Sequence, residues 1–182
     1  MLINGAFRRL ATLSLSLLLV LSAAGQCLAE GTGGTVISKP VSQAQPQLYP
    51  LLTTSKLNRI IQTEGKGKVV IISFFASWCP PCRKEIPQLV HLRGKVSKDD
   101  MLIIGISADD NLLELNKFLD RVKINFPVYL GMDDVFMKYE VTAIPVMVLL
   151  NSDGTVYQVV EGLLNESTFN GMINHLLGKA YE

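Results

Sequence analysis

Two cysteines flank a pair of prolines in the segment FFASWCPPCRKE, residues 74–85. Thiols this close serve as a structural staple, half of a metal site, a haem attachment point or a redox couple. Haem attachment requires a histidine directly after the second cysteine, and residue 83 is Arg83. A zinc site needs four ligands. The two histidines, His91 and His175, are far apart and unpaired, so no metal is expected. A staple spanning two residues removes little chain entropy, which makes it a weak source of stability. A peroxidase needs a further reactive cysteine in a pocket of its own, and the mature chain leaves none over. Redox exchange is the chemistry these residues serve best. It asks for one cysteine that attacks as a thiolate and a second within reach to resolve the mixed disulfide.

The elements around the pair supply those conditions. The run KVVIISFF at 68–75 is β-branched and aromatic throughout, as in a strand buried on both faces. Residues 79–96 read as a helix with Pro80 in its first turn, where proline is tolerated, and Pro87 inside it, where it should kink the axis. Cys79 then falls where a buried strand hands over to a helix. Free amides and the positive end of the helix dipole favour a thiolate there. Such a thiol can fall from a pKa of about 8.5 to roughly 3.5–7.5. Cys79 is therefore expected to be the exposed attacking thiol. Cys82, one turn further on the same face, resolves.

Further elements alternate. A helix is expected over 55–63 and a second buried strand over 101–107 (MLIIGIS). An amphipathic helix follows over 111–122, a short strand over 126–130 and a short helix over 134–139. Strands at 146–150 and 155–160 flank the turn residues Asn-Ser-Asp-Gly as a hairpin, and a helix over 166–177 stops at Gly178. This order predicts an α/β fold with a mixed central sheet covered by helices on both faces.

The chain has 182 residues, 48% hydrophobic and 18% charged, enough for one domain with a real core. A net charge of +1 gives no argument for nucleic acid as a partner. Residues 1–29 carry Arg8 and Arg9, an apolar stretch and small residues, the pattern of a cleaved secretory leader. Its apolar stretch is short for a membrane span. Cleavage leaves 15 basic and 16 acidic residues of the original 17 and 16. Residues 30–50, rich in Gly, Pro, Gln and Ser, read as a linker or extended lead-in, and 51–182 as the folded domain. Cys27 is read as a leader residue, since Gln26 before it is poor context for lipidation. An uncleaved leader or a lipid on Cys27 would tether the chain to a membrane. The expected location is the periplasm or the outer face of the cytoplasmic membrane.

The segment FASWCPPCRKEIP resembles the active-site segment of the thioredoxin superfamily. More narrowly, it resembles that of the exported TlpA/ResA-like thiol–disulfide oxidoreductases. The segment YEVTAIP at 139–145 followed by VMVLLNSDG resembles the second signature of that family. The resemblance covers about residues 50–178 and implies a thioredoxin fold. It implies Cys79 and Cys82 as the redox pair, with Trp78, Pro80 and Pro81 flanking and tuning it, and no cofactor beyond their disulfide. It implies that Pro145 is cis and packs against the disulfide, and that Ile144 offers backbone hydrogen bonds to a bound peptide. Where thioredoxins carry a buried Asp this chain has Ser73, which cannot titrate. Glu85, one turn after Cys82, matches a family Glu and is the candidate acid or base; its alternative is a solvent-exposed first-turn Glu. The usual Thr after the proline is Val146. The partners implied are protein dithiols and disulfides, with a membrane electron donor. Reduction of exported proteins, apocytochrome c among them, is the favoured direction. A disulfide-introducing oxidant and a binding or chaperone module with a regulatory pair are the alternatives.

Overall fold

A computed structural model of the protein describes residues 48–181. The leader expected over 1–29, Cys27 and most of the lead-in expected over 30–50 lie outside the described residues. In chain order the elements are β1 (Leu51–Leu52), α1 (Thr54–Thr63), β2 (Val69–Phe75), α2 (Cys82–Lys95), β3 (Met101–Ser107) and α3 (Leu112–Val122). Then come β4 (Val128–Gly131), α4 (Asp133–Lys138), β5 (Val146–Leu150), β6 (Val156–Glu161) and α5 (Glu166–Leu177).

The strands form one six-stranded sheet in the order β1-β4-β3-β2-β5-β6. β1, β4, β3 and β2 run parallel, and β5 and β6 run antiparallel to their neighbours. β2 is central and buried at every position, as its unbroken apolar run requires. Its side chains alternate between two cores. Val69, Ile71 and Phe75 join the cluster under α2, α3 and α5, while Val70, Ile72 and Phe74 join the cluster under α1 and α4. The expected mixed sheet with helices on both faces is present.

β4 starts two residues later than expected, several other bounds shift by one residue, and two differences are larger. β1 was not anticipated, because two residues carry no detectable period. Tyr49, just before it, is buried and donates its hydroxyl to Asn116 at 2.8 Å. The second helix begins at Cys82 rather than Cys79. The first amide here to donate to a backbone carbonyl one turn back is that of Arg83, to Cys79 at 3.1 Å, while the Cys82 amide is directed at Cys79 Sγ. Pro81 occupies the N-cap with φ −67° and ψ −34°. The helix then continues through Pro87 to Lys95.

Candidate functional site

β2 and β3 both end at one edge of the sheet, and β5 begins there, with Val146 opposite Phe74. That antiparallel pairing brings residues 144–145 beside the turn that follows β2. The turn closes with the Cys79 amide donating to the Ala76 carbonyl at 3.2 Å. Cys79 and Cys82 form a disulfide with 5.3 Å between their Cα atoms. The first amide available after the two prolines is that of Cys82, and it points at Cys79 Sγ from 3.3 Å. A charge-stabilising donor thus already stands beside the sulfur that would carry a thiolate. The exposure expected of Cys79 is not found in this oxidised state, where both cysteines are buried. Cys79 is only 3% exposed against 0% for Cys82, and the Ile144 carbonyl lies against the Cys79 sulfur.

The Ile144–Pro145 bond is cis. The Ile144 carbonyl oxygen lies 3.7 Å from Cys79 Sγ. The Pro145 carbonyl accepts from the Gly162 amide at 2.8 Å. Gly162 has φ +78°, a left-handed conformation suited to glycine, so the end of β6 anchors the proline loop. Sequence reasoning passed over Gly162; its only signal was a lone glycine directly after a strand. A cleft of about 290 Å³ runs beside Pro145 and is lined in part by Thr142, Val159 and Glu161. Trp78, 63% exposed, stands at the surface next to Cys79, with Pro80 also exposed.

Glu85 is 1% exposed, which excludes the solvent-facing alternative. Ser73 on β2 donates its hydroxyl to Glu85 Oε1 at 2.7 Å. Glu85 Oε2 has no hydrogen-bond partner among the described residues. Burial pushes the Glu85 carboxyl up to about 7, with the Ser73 hydroxyl pulling the other way. A carboxyl with that pKa exchanges a proton near neutrality. The residue that cannot titrate therefore holds the one that can.

One cluster escaped the sequence reading. Asp109, two residues beyond the end of β3, is 6% exposed and accepts from the Ser77 amide and hydroxyl. Its signal was an acidic pair, Asp109-Asp110, directly after a buried strand, and a surface loop has the same appearance.

Comparison with known proteins agrees with this geometry. The redoxin family model matches residues 39–173. The chain is similar to the thiol-disulfide oxidoreductase ResA of Bacillus subtilis (strain 168), 31% identical over 117 residues, covering 64% of this chain and 65% of that protein. It is also similar to the protein of the same name from Halalkalibacterium halodurans, 30% identical over 106 residues, covering 58% of this chain and 59% of that protein. The match thus spans under two thirds of the length of either relative. Among solved structures, a thiol:disulfide interchange protein of the thioredoxin family from Chlorobium tepidum TLS superposes with a TM-score of 0.58. The identity is 28%, and the match covers 63% of this chain and 83% of that one. The chain belongs to the redoxin family, within the thioredoxin superfamily.

Proposed function

We propose that this protein is an exported thiol–disulfide oxidoreductase that reduces disulfides in other exported proteins, apocytochrome c among them. The observation that carries the reading is the Cys79–Cys82 disulfide, with the Cys82 amide on Cys79 Sγ and the Ile144 carbonyl against it. The printed names of the relatives, thiol-disulfide oxidoreductase, support the reaction class. Export rests on the leader pattern of residues 1–29.

In the reduced protein the Cys79 thiolate attacks one sulfur of the substrate disulfide. The substrate's other sulfur leaves as a thiolate and takes a proton from water. The product is a mixed disulfide. Glu85 takes the proton of Cys82, whose thiolate attacks Cys79 Sγ and expels the second substrate sulfur as a thiolate, which takes that proton back from Glu85. Two electrons have passed to the substrate, and the protein is left as the Cys79–Cys82 disulfide. A membrane dithiol donor returns it to the reduced state. Trp78, Pro80 and Pro81 face the incoming chain, and the Ile144 backbone pairs with it.

The reduction potential of the couple tests the direction. A value at or below about −250 mV marks a reductant; a value near about −120 mV marks an oxidant and removes the cytochrome reading. A Cys82→Ser variant should trap exported proteins as mixed disulfides through Cys79. If no partner is retained, the protein-reductase reading fails.

A further inference from the structure

Every polar group of Ser77, two residues before Cys79, is engaged. Its amide donates to Asp109 Oδ2 at 2.8 Å and its hydroxyl to Asp109 Oδ1 at 2.5 Å. Its carbonyl accepts from Arg83 Nε at 2.7 Å. Asp109 is itself fixed. Ser107 at the end of β3 donates its hydroxyl to Oδ2 at 2.8 Å, and Ser107 Oγ accepts from the Asp109 amide at 3.0 Å. Arg83 is tied twice to the same turn, since its amide also donates to the Cys79 carbonyl at 3.1 Å. The turn that carries Trp78 and Cys79 is thus gripped from β3 on one side and from α2 on the other.

We propose that Asp109 and Arg83 are positioning residues that hold the 77–79 turn, so that Cys79 Sγ stays on the Cys82 amide and Trp78 stays at the surface. The proposal rests on the oxidoreductase reading above. Neither side chain hydrogen-bonds a sulfur; both act through Ser77. The turn is short and carries two groups the reaction needs in register, a thiolate and an aromatic contact for substrate. Without the grip, the Cys82 amide and the sulfur separate, and the thiolate loses its donor. Small displacements of that kind cost reactivity out of proportion to stability.

Charge and position predict opposite signs at Asp109. Removing a negative charge near Cys79 would by itself favour the thiolate and speed its reactions. Losing the grip slows them. The experiment measures iodoacetamide alkylation of Cys79 in the reduced Cys82→Ser protein, read by mass on the Cys79 peptide. It adds the anisotropy decay of Trp78, the only tryptophan of the chain. Asp109→Ala should slow alkylation about tenfold and enlarge the fast component of the Trp78 decay. Asp109→Asn, which keeps an acceptor for the Ser77 amide, should lie between Asp109→Ala and the native residue. Arg83→Lys keeps the charge but loses the Nε donor, and should move both readouts the same way by a smaller factor. Arg83 is exposed, so this variant decides the matter if Asp109→Ala does not fold. Unchanged or faster alkylation, or a change in one readout without the other, overturns the proposal. Alkylation of Cys79 in the native background no faster than that of a free thiol overturns the oxidoreductase reading, and the positioning role with it.

Discussion

The two faces of the sheet are built for different ends. Under α1 and α4 the core is apolar: Leu57, Ile72, Ile104 and Val135 pack there, and Phe74 sits against the rings of Phe136 and Tyr139. Under α2, α3 and α5 the core is larger but carries the disulfide and the Ser73–Glu85 pair. The other buried polar side chains among the described residues, Ser77, Ser107, Asp109 and Arg93, also belong to β3, α2 or the loops beside them. Ile72 and Ser73 are neighbours on β2 and point to opposite faces. One removes apolar surface from water; the other holds a carboxyl whose burial with an unpartnered oxygen opposes folding. The difference teaches that reactivity here is concentrated on one face at a cost in stability that the other face offsets.

The largest expected effect is on the apolar face. Ile72→Ala removes a fully buried side chain and should lower the unfolding free energy by about 2–5 kcal/mol, measured by chemical denaturation. The Cys79 alkylation rate, taken where the variant is folded, should stay within about twofold of the native rate. A tenfold fall with the fold intact would break the comparison, because it would couple the apolar face to the sulfur.

Glu85→Gln acts in the opposite sense. The folded-state pKa of Glu85 is raised to about 7 from 4.5, so the folded protein holds this proton more tightly than the unfolded chain. The contribution is fully present below pH 4.5 and is lost as pH rises to about 7, a change of about 3 kcal/mol. A neutral glutamine avoids the buried charge. The variant should therefore be more stable than the native protein at pH 8, by about 1–3 kcal/mol, and little different at pH 4. Resolution of the mixed disulfide should slow and lose its rise through neutral pH in stopped-flow measurements. Equal destabilisation at both pH values would mean that the carboxyl is a structural group.

Much of this was readable in the sequence, for identifiable reasons. β3, β5 and α5 have the expected boundaries, because unbroken apolar runs and a glycine stop mark them. The positions of Cys79, Cys82 and Pro145 followed from two motifs whose order and separation are distinctive. What escaped depends on contacts across the chain. Ser73 and Glu85 were each visible, but their hydrogen bond joins a strand to a helix. Asp109 meets Ser77 across 32 residues, and nothing local marks an acid that turns inward. The start of α2 was misplaced because the prolines suit a first turn, whereas the amide they leave to Cys82 is directed at a sulfur.

Ser73→Ala sharpens the comparison on β2 itself. The Ser73 hydroxyl holds the Glu85 pKa below what burial alone would give. Without it, the midpoint of the resolution step should move to higher pH, with the Cys79 alkylation rate unchanged. A midpoint that stays in place would separate the Ser73–Glu85 contact from the proton transfer.

The smallest effect tests whether the reactive face is uniform along its length. β3 ends at the redox edge, α3 starts there and runs back, and so Lys123 at its C-cap lies toward the opposite end. Lys123 has φ 54° and ψ 56°, a left-handed conformation that costs a side-chain-bearing residue about 1 kcal/mol. Glycine relieves this but gives the unfolded chain more freedom, so Lys123→Gly should stabilise by about 0.5 kcal/mol net. A rise of about 1–3 °C in the thermal midpoint would register it. Trp78 anisotropy and Cys79 alkylation should not move, since the turn is gripped by Asp109 and Arg83 at the other end. If they do move, α3 transmits strain along its length, and the division runs between two ends of the molecule rather than two faces of its sheet.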